Sequence, residues 1–200
     1  TSPSRPFYQS VTIMNLQPLA IEKYIEYVNF NRPRNSVLSK DVVQFSNFDD
    51  ATIGICSKLK KIDNPGLKFV DVGRLLLDDG KERKDGAYVK YGENHLKTSE
   101  QLGLMFSMTG TYFLNCLGFV FYRLEKDSQQ KLLRRLLFRN DLIVYLLKKA
   151  QNRTVILRDE LHMLKDSTYV RRRSNIKKVL SLFSNSEELN LIFLLNSIVL

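Results

Sequence analysis

Histidine and cysteine are scarce in this chain, and long apolar runs are missing. Two histidines (His95, His162) and two cysteines (Cys56, Cys116) stand in 200 residues. No C-x-x-C, H-x-x-x-H or H-E-x-x-H spacing occurs, which argues against zinc and leaves both histidines as hydrogen-bonding residues. Each cysteine lies among apolar neighbours, and the pair reads as reduced core residues of an intracellular protein. Without G-x-x-x-x-G-K-S/T or G-x-G-x-x-G there is no usual phosphate-cradling loop, and without G-x-S-x-G no hydrolase elbow. The longest apolar run, residues 191–200, is broken by Asn196 and is too short to span a bilayer. The polar, proline-bearing start is unlike a signal peptide. The expectation is a cytoplasmic, nucleoid-associated protein with no catalytic motif, cofactor, metal site or membrane span.

What the chain has is positive charge, unevenly placed. Hydrophobic residues make up 44% and charged residues 26%, the balance of a soluble globular protein of one or two domains. The formal net charge is +10. Residues 123–178 hold 16 Lys/Arg against 6 Asp/Glu, while the remainder holds 15 of each. A localised basic excess favours a polyanionic partner.

At the end of that basic segment the spacing predicts an amphipathic helix over 168–183, with Asp166 or Ser167 as N-cap. Tyr169, Ile176, Val179, Leu180 and Phe183 fall on one face. Arg171, Ser174, Asn175 and Lys178 fall on the other. Arg172 and Arg173 flank the apolar face; both are counted with the DNA-binding residues, and one of them is expected to be structural, pairing with Asp166 or a helix end.

Taken in order, residues 1–17 form an arm and Pro18 opens a helix over 19–30. A turn at 31–35 precedes short helices at 40–45 and 49–62, then an extended piece at 67–70. Residues 70–77 fit either a strand or a short helix, and 78–86 is a polar connector. The next helix is stopped by Gly103. It sends Leu96, Ser99 and Leu102 inward and Asn94, Lys97, Thr98 and Gln101 outward. Strands at 104–106 and 111–114 form a wing. Helices follow at 117–124, 128–138 and 142–150, the last capped at Asn140 or Asp141. An extended piece at 154–157, a helix at 158–164, the basic helix and a closing strand at 189–195 complete the chain. The fold expected is mainly α with short β wings, a tandem winged helix-turn-helix. Its parts are the arm 1–17, a winged-helix region 18–125 (one module, or two divided near 78–90) and a basic winged helix 126–200.

Two stretches carry a resemblance. One is Lys90-Tyr91-Gly92-Glu93-Asn94-His95-Leu96-Lys97-Thr98-Ser99-Glu100-Gln101-Leu102-Gly103-Leu104. The other is Asp166-Ser167-Thr168-Tyr169-Val170-Arg171-Arg172-Arg173-Ser174-Asn175-Ile176-Lys177. Together they resemble the winged-helix recognition modules of prokaryotic type II restriction endonucleases and related regulators. The resemblance implies a double-stranded DNA partner and two recognition helices. Asn94, Gln101, Arg171 and Asn175 would face bases; Lys97, Thr98, Ser174, Lys177 and Lys178 would face phosphates. That family's nuclease core is not seen. Glu82-Arg83-Lys84 matches a metal-nuclease triplet, but it sits in a glycine-flanked charged loop rather than an apolar strand. Cleavage would then belong to another domain or subunit, and a homodimer stays open. Two alternatives stand beside this reading: a nuclease site within the chain, and a winged-helix protein-interaction domain that binds no DNA.

Overall fold

The computed structural model describes residues 37–42, 44–61, 63, 66–184 and 189–200. The expected arm at 1–17, helix at 19–30 and turn at 31–35 lie outside the described residues. The described chain is mainly helical, with two small two-stranded sheets. It divides into two compact units. Gln44–Leu133 lies in one; residues 37–42 and Arg134–Leu200 lie in the other.

In the first unit a π-helical turn, Asp50–Gly54, runs into α1 (Ile55–Lys61). Leu67 then bridges Tyr112. Residues 70–77 resolve as helix: α2 spans Phe69–Leu76, and the Asp71 carboxylate accepts the Lys68 N–H at 3.0 Å. The connector is shorter than expected, because α3 starts at Asp85 and runs Asp85–Gln101. Two glycines explain how α2 and α3 pack. A Cβ on Gly73 would lie 1.9 Å from the Tyr88 carbonyl oxygen, and one on Gly92 would lie 1.9 Å from that of Phe69. The two backbones touch where no side chain fits. Gly103, at φ 78°, ends α3 as expected. The Gly103 and Leu104 N–H groups donate to the Glu100 and Ser99 carbonyls, a Schellman closure.

The expected strand pair is present as the antiparallel hairpin of β1 (Met105–Met108) and β2 (Thr111–Leu114). Thr109 and Gly110 both take positive φ at its turn, as a twisted two-residue hairpin turn requires. Asn115 caps α4 (Cys116–Arg123) by accepting the Gly118 N–H at 2.9 Å. Leu96, Leu104, Met105, Leu114, Leu117 and Phe121 are buried in this unit's core. α5 (Lys126–Leu137) begins here and continues past the division at Leu133.

Two expectations about local structure fail by this point. The helix expected at 40–45 is not found among the described residues: a 3-10 turn, Ser39–Asp41, gives way to extended backbone at Val42. The Asp41 carboxylate is spent on the Leu38 N–H at 2.8 Å, closing a single turn. Cys56 is buried as expected, but Cys116 is exposed on α4 despite its apolar neighbours.

In the second unit α6 (Asp141–Ala150) is capped by Asn140, which accepts the Ile143 N–H at 3.2 Å. There follow β3 (Val155–Ile156), α7 (Leu157–Glu160) and α8 (Asp166–Ser181). The expected closing strand at 189–195 is instead a helix, α9 (Leu189–Asn196). A short leucine-rich run satisfies either period, and leucine favours the helix. The strand comes later: β4 (Ile198–Val199) pairs in parallel with β3. Among the described residues, no hairpin follows α8.

Candidate nucleic-acid interface

α8 is amphipathic as expected, but its start differs. The N-cap is Lys165 in extended conformation, with no side-chain capping bond. Asp166 is instead paired with the Arg158 guanidinium. That guanidinium also lies over the Tyr169 ring, 4.8 Å from its centroid. Ile176, Val179, Leu180 and Phe183 are buried, and Phe183 packs on Phe138 with ring centroids 5.5 Å apart.

Arg172 falls on this buried side. It is half-buried, and its Nη1 donates to the Val42 carbonyl at 3.1 Å. Burial, and then the neighbouring Arg171 charge, lowers its pKa below the ordinary guanidinium value. Of the two arginines flanking the apolar face, Arg172 is therefore the structural one, and its partner is a backbone carbonyl rather than Asp166. Asn140 Nδ2 donates to the adjacent Asp41 carbonyl at 3.3 Å, so residues 41–42 are held from both α8 and the cap of α6.

On the outer side, Arg171, Arg173, Ser174, Lys177 and Lys178 are exposed, and Asn175 is half-buried. Helix geometry arranges the cations in two rows, Arg173 with Lys177 and Arg171 with Lys178. Ser167, Val170, Ser174 and Ser181, also exposed, run between the rows. Among the described residues, no carboxylate lies within ion-pair distance of these four cations. Asp166 is taken by Arg158. Glu160 takes Lys149 at 2.8 Å and Arg153 at 2.6 Å.

The outer side of α3 is different. Glu93 binds both Lys97, at 2.6 Å, and Lys90, at 2.9 Å. Hydrogen bonds from these two lysines hold its carboxyl below the usual carboxylate range. Asn94 and Gln101 are half-buried. Thr98 corrects the outward assignment: it is buried, its hydroxyl against the carbonyls of Asn94 at 2.9 Å and Gln44 at 3.0 Å. A threonine bonded back to its own helix has no hydrogen to offer a phosphate.

One arrangement beneath α3 had no signal in the sequence. His95 is buried and stacks on Tyr91, ring centroids 4.0 Å apart. Its Nε2 accepts the Asn47 N–H at 3.2 Å, so Nδ1 carries the proton donated to the Tyr91 carbonyl at 2.7 Å. The Tyr91 hydroxyl donates to Asp50 at 2.6 Å. Burial lowers the His95 pKa, against the opposing pull of the Tyr91 carbonyl and Asp50. Elsewhere Arg83, in the nuclease-like triplet, is forked onto Asp79 at 2.6 Å. Among the described residues, no group of three or more His, Cys, Asp and Glu could hold a metal ion. None of their helices is long and apolar enough to cross a membrane.

No family model matches this chain, and no curated protein or solved structure is significantly similar to it.

Proposed function

We propose that the chain binds double-stranded DNA and that α8 is the helix that enters the major groove. The observation that carries this reading is the outer face of α8, two cationic rows without acid partners flanking a narrow uncharged midline. The pattern matches a groove with a phosphate row on each side and base edges between. A helix with its side chains is about 10–12 Å across, and the major groove is about 12 Å wide. Arg173, Lys177 and Lys178 serve phosphates. Arg171, at the N-terminal end of its row, is the candidate for guanine, with Ser174 on the midline beside it.

The first unit supports a winged-helix reading. A helix, the Leu67 bridge, two helices and a hairpin follow in that order. The second unit closes through α9 rather than a wing, which favours one winged helix over two. On this reading the chain is the recognition part of a restriction-type or regulatory system, and any strand cleavage resides in another domain or subunit.

The test is selection of bound duplexes from a random pool, followed by titration across salt. A defined motif is expected, with affinity falling steeply as counterions are released. An inert chain at low salt sinks the proposal.

A second reading, protein contact through the first unit, is favoured by its hairpin. Phe106 is 44% exposed and Met108 60% exposed. Phe106 stacks on Phe113 at 5.4 Å, and the hairpin carries no charged residue. Such a contact would survive high salt.

A further inference from the structure

The midline of the α8 outer face holds one apolar side chain, Val170. It is 64% exposed, on a helix whose other apolar residues turn inward. A β-branched residue at a solvent-facing helix position loses side-chain freedom and helix propensity relative to alanine. Its helix neighbours at i−4, i−3, i+3, i+4 and i+7 are Asp166, Ser167, Arg173, Ser174 and Lys177, and the Asp166 carboxylate is already paired with Arg158. An isopropyl group is thus set among cations, small hydroxyls and one carboxylate that Arg158 holds.

Resting on the proposed binding of duplex DNA by α8, we infer that Val170 is a specificity residue that reads the C5-methyl group of a thymine. A ligand that suits this spot is anionic at its margins and apolar at a point between them. In the major groove the thymine methyl is the apolar feature, and apolar side chains pack on it. Val170 lies in the N-terminal half of α8, the end from which recognition helices reach base edges. Arg171 would then read a neighbouring base, while Arg173 and Lys177 anchor the phosphates of the same strand region.

Uracil isolates the methyl, because deoxyuridine keeps every hydrogen-bonding group of thymidine. Duplexes selected by the wild-type chain are resynthesised with deoxyuridine at each thymidine in turn. Binding is measured for the wild type and for Val170→Ala, an exposed change that raises helix propensity. The expected result is one thymine, or a symmetry-related pair, at which uracil weakens wild-type binding roughly 3- to 5-fold, the value of about one buried methyl. At that position Val170→Ala should bind both duplexes equally. Tolerance of uracil at every position, or the same loss in Val170→Ala, overturns the inference while leaving DNA binding intact. Failure to enrich any duplex would instead remove the binding proposal, and this inference with it.

Discussion

α3 and α8 have the same design on paper and differ in what their outer faces can do. Each is a long helix with an apolar side and a polar side. α3 holds two Lys/Arg against three Asp/Glu, whereas α8 holds five against one. The contrast extends to the units around them: Gln44–Leu133 has thirteen Lys/Arg and twelve Asp/Glu, and Arg134–Leu200 has thirteen and six. Glu93 makes the local difference, because it ties up both lysines of α3. A polar helix face becomes an anion-binding face only if its cations lack acids one turn away.

The largest expected effect removes the scaffold of α3. Gly92→Ala would drive a methyl into the Phe69 carbonyl, so α2 and α3 must separate. We expect a loss of about 3 kcal/mol in urea unfolding, the upper end of overpacking costs. Hydrogen exchange should show the opening centred on α2 and α3. An unchanged midpoint would mean that the two helices do not approach as described.

Next comes the division of labour among the arginines of α8. Arg172→Ala strands the buried Val42 carbonyl and should cost about 2 kcal/mol of stability. Arg173→Ala, on an exposed residue, should stay within about 0.5 kcal/mol. If both cost the same, the separation of a structural and a ligand-facing arginine is wrong.

The comparison is sharpened by binding. Arg171→Ala should weaken a selected duplex about 10-fold and relax preference at one base pair, since a bidentate base contact contributes about 1–3 kcal/mol. Lys178→Ala should weaken all duplexes a few-fold alike and lower the salt dependence by about one counterion. Lys97→Ala, whose lysine is already paired with Glu93, should change affinity by less than about 2-fold. A larger loss from Lys97→Ala than from Lys178→Ala, measured by fluorescence anisotropy, would place the interface on α3.

Much of the local fold was legible from sequence because local chemistry decides it. Gly103 ends α3, Met108-Thr109-Gly110 turns the hairpin, and Asn140 caps α6. What was not legible depends on partners distant in the chain. Gly73 and Gly92 look like weak helix residues until the two helices meet. Thr98 fits the outer face by spacing, yet Gln44 covers it. Arg172 is indistinguishable from Arg171 and Arg173 until Val42 is placed beneath it. The run at 189–195 suits strand or helix, and only the packed chain decides. For the candidate interface, spacing gave the cationic face of α8, but which cations remain unneutralised is a property of the fold.

A final contrast concerns pH and separates the units once more. His95 is neutral in the folded first unit, with its Nε2 occupied by the Asn47 N–H, and burial lowers its pKa from the ordinary 6.5. Above about pH 6.5 both folded and unfolded chains hold a neutral imidazole, so the contribution is fully present. As pH falls below that value the unfolded chain takes up the proton first. Stability then drains away, by up to about 1.4 kcal/mol per pH unit, until the folded pKa is passed. The carboxylates held low by cations, Glu93 and Glu160, lose their contributions only as pH falls below about 4.3, so the windows separate. Urea midpoints between pH 7.5 and 5.5 should fall for the wild type and stay nearly flat for His95→Gln, whose amide oxygen can still accept from Asn47 but does not titrate. Because the described residues around α8 place no buried histidine there, the loss should register in probes on α3 and not in probes on α8. An equal slope in the variant would assign the acid sensitivity to some other group.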